Sequence, residues 1–430
     1  MDKKTLNVGL IGYGMIGKVH AHATAALPWF APNLPVVGKI TAVATSRMET
    51  ARAAREQIGC EAAYDDYRKI IEDPSIDVVD VCVPNAEHFK ILMGAVKAKK
   101  HIYCEKPLVV GPEEGAALIK EMRYSNFTQA NLVAFHLRGF AALRRAKELI
   151  DEGRLGQIVQ YRAAYRHSSM LDPTSPLRWK NGATGGVILD LASHLFDLVS
   201  WLIGAPASLI AQSTTLTPCR PIRPLKPGES PSDVPTQRVL SEDSVVVMTR
   251  GLSETPRLVA RRPCSRIMEN RDHTGKDPNF MPIAVADPKD KAALFGIVEA
   301  TKLATGAEDE LTLEISGTRG ALRFSLMDSH YLEFFDATEP GGTYGGESGW
   351  KRIACGARYP SPESDFPSPK STTGWLRAHI ASLAAFYRGI ADGCVYGADF
   401  KSAVDVQRAL HAIQTSAITN NYVSLREPIL

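Results

Sequence analysis

Asp190, His194 and Asp197 interrupt a run that is otherwise apolar but for Ser193 and Ser200, from Val187 through Leu191 and Leu195 to Leu202. Residues three or four apart share one side of a helix. The three polar groups therefore form a stripe on a predicted helix that is apolar almost all round and should be buried. Buried polar groups need partners, so the stripe faces either an internal hydrogen-bond network or a cavity. In a cavity, His194 can accept the proton of an alcohol near neutral pH. Asp190, four residues earlier, can orient the imidazole or bind a common ligand. Gly185 and Gly186, just ahead of the run, permit close approach by another backbone or a cofactor. Zinc usually takes three or four Cys, His or carboxylate ligands. No H-E-x-x-H or clustered thiols accompany the pair, and no metal site is assigned.

Two further groups carry chemistry. Cys104-Glu105-Lys106-Pro107 follows a short apolar run, which puts Glu105 and Lys106 at the carboxyl end of a strand. In open α/β sheets ligands bind at that edge. A lysine there can hydrogen-bond a substrate oxygen and stabilise negative charge as an alcohol loses its proton; a surface lysine is the plainer reading. The lysine has to turn inward, and X–Pro bonds are the common cis peptides, so a cis bond is expected at Lys106–Pro107. Pro84-Asn85 ends another apolar run at the same edge, where Asn85 can meet a cofactor's ribose or nicotinamide. Gly12-Tyr13-Gly14-Met15-Ile16-Gly17 lies between a strand and a helix. In that context Gly12 makes the tight turn, Gly14 admits a pyrophosphate and Gly17 packs helix on strand. The next strand ends at Thr45-Ser46-Arg47, with no acidic residue for a ribose 2′-hydroxyl. Ser46 and Arg47 can accept a 2′-phosphate, and Arg47 can equally stack on adenine. The cofactor is NAD or NADP.

These groups need a scaffold. Strands at 6–11, 39–45, 78–83, 102–104 and 132–135 alternate with helices at 48–58, 86–99 and 112–124. That alternation predicts an α/β fold, a Rossmann-type doubly wound parallel sheet, over residues 1–135. From residue 136 to 430 longer strands appear, and Gly317-Thr318-Arg319-Gly320 reads as a hairpin turn. This half is predicted to be α+β with a large, mostly antiparallel open sheet. Six prolines between Pro218 and Pro235 keep that segment out of a sheet interior, making it a surface loop or an arm to a neighbouring subunit. The polar stretch at 252–288 reads as an insertion. The chain has 430 residues, 44% hydrophobic and 23% charged, with a net charge of +3. This gives no reason to expect a nucleic-acid or membrane partner. Seven dispersed cysteines argue for a reducing, cytoplasmic location.

The glycine loop, Glu105-Lys106-Pro107, and Gly185-Gly186 with Asp190 and His194 occur in that order. The combination resembles the Gfo/Idh/MocA oxidoreductases, which include glucose–fructose oxidoreductase and inositol dehydrogenases. The resemblance extends to the Gly317–Gly320 turn and to helices at 375–390 and 401–415. It implies that Lys106, Asp190 and His194 form a catalytic set. It also implies that Trp179 lies beside the cofactor, with Tyr165, His167 and Arg178 as weaker substrate contacts. Phe135-His136-Leu137-Arg138 stands where many relatives carry an Asn-x-Arg-like segment, so His136 joins the substrate candidates. The expected reaction is hydride transfer between a nicotinamide cofactor and a secondary alcohol of a sugar, polyol or inositol. Alternatives are NAD-dependent glycoside cleavage through transient oxidation, and non-catalytic dinucleotide sensing. The open sheet implies a homodimer or homotetramer.

Overall fold

The computed structural model describes residues 3–252 and 294–425. The chain begins with strand β1 (Lys4–Ile11), helix α1 (Met15–Phe30), β2 (Val36–Ala44), α2 (Met48–Ile58), β3 (Ala62–Tyr64) and α3 (Arg68–Glu72). It continues through β4 (Val78–Val81), α4 (Asn85–Lys97), β5 (His101–Cys104), α5 (Pro112–Tyr124) and β6 (Asn131–Val133). The six strands pair in parallel in the order β3-β2-β1-β4-β5-β6, so the order reverses between β1 and β4. That reversal point is where an open α/β sheet binds its ligand. The apolar runs did become strands buried on both faces, as β4 illustrates. β3 and α3 have no equivalent in the sequence reading, because both are short and only partly apolar.

After α6 (Ala141–Asp151) and β7 (Ile158–Arg166), the chain makes α7 (Ser193–Ile203) and β8 (Pro206–Thr214). The proline-rich segment folds into a ribbon of its own, β9 (Cys219–Pro221) against β10 (Thr236–Arg238). It stays out of the large sheet, as its prolines require. The fully buried Arg220 fastens it, donating to the carbonyls of Met170 and Asp172, each at 2.8 Å.

The remaining strands are β11 (Ser244–Leu252), β12 (Phe295–Thr301), β13 (Glu310–Gly317), β14 (Gly320–Ser325), β15 (Tyr331–Asp336), β16 (Trp350–Ala354) and β17 (Val423–Ser424). They join β7 and β8 in a nine-stranded sheet, ordered β16-β15-β14-β13-β7-β12-β11-β8-β17. Its pairs are antiparallel except β7 with β12. The expected hairpin at Gly317–Gly320 joins β13 to β14. Most of the expected insertion at 252–288 lies outside the described residues.

Helices α8 (Trp375–Asp392) and α9 (Phe400–Thr419) return to the first sheet. Ile380, Leu383, Phe386 and Tyr387 of α8 share a core with Leu6, Val8 and Leu10 of β1. At Gly38 of β2 a side chain's first carbon would lie 1.8 Å from the Tyr387 hydroxyl, so that glycine makes room for α8. No helix among the described residues is long and apolar enough to cross a membrane.

Candidate active site

The glycine loop divides its labour as its chemistry requires. Gly12 has φ +96°, and a Cβ there would strike the Cys82 carbonyl oxygen at 2.3 Å. A Cβ on Gly17 would meet the Gly12 carbonyl oxygen at 2.2 Å, so Gly17 serves the packing of α1 on β1. A Cβ on Gly14 would meet nothing within 4 Å: this glycine keeps space open outside the protein's own packing. No side chain caps α1, and its first turn carries no acidic residue. Its free N–H groups and positive dipole end suit a pyrophosphate. Tyr13 and Ile16 pack partly into the core while Met15 stays exposed. Ser46 and Arg47 are exposed at the tip of β2, where the Thr45 hydroxyl holds the turn by donating to the Arg47 carbonyl at 2.8 Å. These residues fit a dinucleotide.

Pro84 and Asn85 start α4 at the same edge. Asn85 is buried, and its Nδ2 donates to the Thr184 carbonyl at 2.9 Å. Its amide nitrogen therefore ties the two sheets' regions together. Glu105 lies at the edge where a cofactor contact is expected, but its carboxylate is spoken for by protein. Oε2 accepts from the Lys106 backbone N–H at 3.0 Å, and Oε1 lies 3.1 Å from His20 Nε2. His20 Nδ1 is in turn 2.8 Å from Asp80. Burial opposes charge on His20, yet the Asp80 carboxylate and the other neighbours outweigh it and hold the imidazole well above its usual range. An imidazolium clamped by two buried carboxylates thus fixes the end of β5 and the backbone of Lys106. Sequence reasoning missed His20 and Asp80. The signals were present: an acid in the middle of the β4 apolar run, and a histidine on the buried side of α1. These groups also bring metal-type donors close together: His20, Asp80 and Cys82, and separately His20, Glu105 and His379. In both sets His20 already has carboxylate partners.

The Lys106–Pro107 bond is cis, as expected. Lys106 Nζ donates to Asp190 twice, to the backbone carbonyl at 2.8 Å and to Oδ1 at 3.0 Å. Two lysines absent from the sequence reading complete the cluster: Lys180 Nζ and Lys302 Nζ each lie 2.9 Å from Asp190 Oδ2. Burial would raise the carboxyl's proton affinity, but Lys106, Lys302 and Lys180 outweigh it and hold Asp190 well below the usual carboxylate range. Lysines from three separate segments carry no pattern that a one-dimensional reading can connect.

The relation expected between Asp190 and His194 needs correction. No hydrogen bond joins them. The segment Ile188–Ala192 is a π turn, with i→i+5 bonding, before α7 begins. The carboxylate is taken by the three lysines instead. His194 Nδ1 is buried without a partner. Burial, and then Lys106, push the proton affinity of His194 well below its usual range, so the ring is neutral at pH 7. Asp197 leaves the stripe altogether: its Oδ2 accepts from Arg138 Nε at 2.8 Å.

The weaker candidates divide. Tyr165 is buried with its ring 6.0 Å from that of His194, and its hydroxyl donates to Asp309 at 2.7 Å. His167 sits at the end of β7 with a buried, unpartnered Nδ1. Its proton affinity is lowered by burial and then by Lys302. His136 is buried behind His194, stacked on His379 at 4.1 Å and edge-on to His194 at 5.1 Å. It supports that ring from the core side rather than meeting substrate as expected: a ring enclosed by Trp375, His379 and His194 has little surface to offer. Trp179 is half-exposed beside the Lys180 ammonium, 5.7 Å from the ring centroid. The exposed Arg178 side chain makes no contact that ties it to the cluster, its backbone N–H donating to Asn181.

A Rossmann sheet with an open glycine loop, meeting a second sheet's lysine–carboxylate cluster at its ligand-binding edge, defines a nicotinamide-dependent oxidoreductase. Residues 6–128 match the oxidoreductase family with an NAD-binding Rossmann fold, and residues 143–251 match the GFO/IDH/MocA C-terminal domain. The chain belongs to the Gfo/Idh/MocA oxidoreductase family. It is 31% identical to levoglucosan dehydrogenase of Pseudarthrobacter phenanthrenivorans, over 98% of both chains. It is 29% identical to myo-inositol 2-dehydrogenase of Thermotoga maritima, over 46% of this chain and 55% of that one. A solved levoglucosan dehydrogenase in complex with NADH and levoglucosan superimposes with a TM-score of 0.81 at 28% identity, covering 99% of this chain and 100% of that one.

Proposed function

We propose that this chain transfers a hydride between NAD(P) and a secondary alcohol of a sugar, polyol or inositol, with Lys106, Asp190 and His194 at the reacting carbon. The observation that carries the reading is the contact between Lys106, from the end of β5, and Asp190, from the π turn ahead of α7, at 3.0 Å. The edge that binds the dinucleotide thereby meets the group that must handle the substrate. Levoglucosan dehydrogenase, which aligns over nearly the whole chain, makes an anhydro-sugar or a related polyol the first substrates to try.

The glycine loop, Ser46, Arg47, Pro84 and Asn85 would hold the dinucleotide, with Trp179 flanking it. When bound, the nicotinamide supplies the hydride acceptor or donor. His194 is neutral, and with Nδ1 enclosed its Nε2 is the nitrogen available to take the hydroxyl proton. Lys106 stabilises the alkoxide charge as it develops. Asp190 keeps Lys106 in place through its carbonyl and Oδ1. His167 and Tyr165 flank the position of the neighbouring hydroxyls. Residues 1–135 serve as the dinucleotide domain and 136–430 as the substrate and assembly domain. The nine-stranded sheet leaves Val246, Met248 and Phe295 exposed, which supports a homodimer or homotetramer built on that face. The chemistry suits a cytoplasmic enzyme and calls for no nucleic-acid or membrane partner. Glycoside cleavage and dinucleotide sensing gain no support from a particular residue.

The test is to purify the protein, identify any co-purifying dinucleotide by mass, and screen levoglucosan, sugars and inositols for reduction of NAD and NADP. Release of an aglycone without net change in cofactor absorbance would favour cleavage. A protein that binds dinucleotide but turns over no polyol would overturn the dehydrogenase reading.

A further inference from the structure

Lys302 follows β12 directly, and β12 lies beside β7 as its parallel neighbour. Its side chain is only 3% exposed, against 40% for Lys180. A lysine ammonium has three N–H donors and no acceptor. Among the described residues the Lys302 ammonium makes one polar contact, with Asp190 Oδ2. That oxygen also takes Lys180, and the other carboxylate oxygen takes Lys106. Lys180 can complete its hydrogen bonds with water; Lys302 is too enclosed to do so freely. Burying a charged donor without partners is costly, so the unfilled N–H groups of Lys302 mark a place where an acceptor belongs.

The setting narrows what that acceptor is. Lys106 and Lys302 grip opposite oxygens of one carboxylate, so their ammonium groups are separated by no more than that carboxylate and two hydrogen bonds. Both ammonium groups are thus close enough to meet hydroxyls of one polyol ring. A strongly anionic ligand is disfavoured, because Glu242 and Asp309 lie in the same neighbourhood. Glu242 accepts from the Ile188 backbone N–H at 2.8 Å and feels the Lys302 charge, and Asp309 accepts from Tyr165. With Asp190, these acids already balance the three lysines.

We propose that Lys302 is a substrate-contacting residue that sets specificity: its ammonium donates to the oxygen of a hydroxyl near the carbon being oxidised. The proposal rests on the dehydrogenase reading above and adds a group to it. No covalent step is involved.

The competing role is purely positional, with Lys302 acting on the reaction only through Asp190. Monodeoxy substrates separate the two. The best polyol from the screen and its monodeoxy analogues are assayed with wild type, Lys302→Met and Lys302→Arg. Contact with a hydroxyl predicts that Lys302→Met lowers kcat/KM by roughly 10- to 100-fold on the parent polyol. It also predicts little further loss on the one analogue that lacks the contacted hydroxyl, and unchanged cofactor affinity. An equal loss on the parent and on every analogue would overturn the proposal in favour of a positional role. If Lys302→Met does not fold, Lys302→Arg keeps the charge but moves the donors. It should reorder the analogues, and an unaltered ranking would count against contact. A second measurement needs no turnover: the rise in Tm that the polyol gives NADH-loaded protein should be smaller in either variant than in wild type. A polyol that stabilises wild type and variants alike overturns the contact while sparing the dehydrogenase reading. A wild type that neither binds nor oxidises any polyol overturns both.

Discussion

The glycine loop and the Asp190 cluster lie on the same side of the first sheet but are built on opposite terms. The loop works by omission. Gly14 contributes empty space, Gly12 a backbone angle, and α1 its uncapped N–H groups. All of it comes from consecutive residues, and little of it depends on the rest of the molecule. The cluster works by assembly. Lys106, Lys180, Asp190 and Lys302 come from four segments, and each ammonium depends on one carboxylate. Binding of the dinucleotide is thus a local property, whereas the chemistry at the reacting carbon depends on how the two sheets are joined.

Substitutions can break this comparison, and the largest effect is expected in the loop. Gly14→Val should abolish dinucleotide binding in calorimetric titration while leaving the Tm of the free protein within a degree or two, since its Cβ enters open space. Gly12→Val, by contrast, should lower Tm, because its side chain meets the Cys82 carbonyl. Equal Tm losses in the two variants would mean that the loop is not the local device described. In the cluster, Lys106→Ala and His194→Ala should each lower kcat by about 100-fold with cofactor affinity nearly unchanged. The double variant should lose less than the product of the two. A His194→Ala protein with a lower Tm but full kcat would make that ring a structural element only.

The pH dependence of stability sharpens the contrast between the histidines. Burial lowers the folded-state proton affinities of His136, His194 and His379 below the ordinary value of 6.5. As pH falls through 6.5 the unfolded chain takes up protons that these rings refuse, so stability is lost toward acid. His20 has the opposite sign. Its contribution is complete below pH 6.5 and is lost as pH rises through its elevated folded value. Tm should therefore peak near neutrality, with the steeper limb on the acid side. His379→Phe should flatten the acid limb and His20→Asn the alkaline one; a His379→Phe protein with the same acid limb would contradict the assignment. The smallest effect is expected at the tip of β2. Arg47→Ala should weaken NADP binding by about 10-fold while changing NAD affinity little, if the guanidinium meets a 2′-phosphate. Equal losses for both cofactors would indicate stacking on adenine instead.

Local features were legible in the sequence, and features made by distant contacts were not. The glycine loop, the strands β4 and β5, the cis Lys106–Pro107 turn and the β13–β14 hairpin each follow from a few adjacent residues. The Rossmann pattern followed from their alternation. Asp190 and His194 stand out as polar residues in an apolar run, but the sequence does not show that lysines from three separate segments occupy the carboxylate. Lys180 and Lys302 look like ordinary surface lysines until the fold carries them to Asp190. Glu105 and His136 were assigned to ligands on position alone, whereas His20 and His379 occupy them.

The core that α8 shares with β1 has a consequence for how the protein is made. Leu6, Val8 and Leu10 share their core with Ile380, Leu383, Phe386 and Tyr387, which the ribosome adds hundreds of residues later. At about 5–20 residues per second, the first sheet waits tens of seconds for that cover. An amino-terminal fragment ending before α8 carries an uncovered apolar face into solution. Such a fragment is prone to aggregate even though its glycine loop and strands are complete.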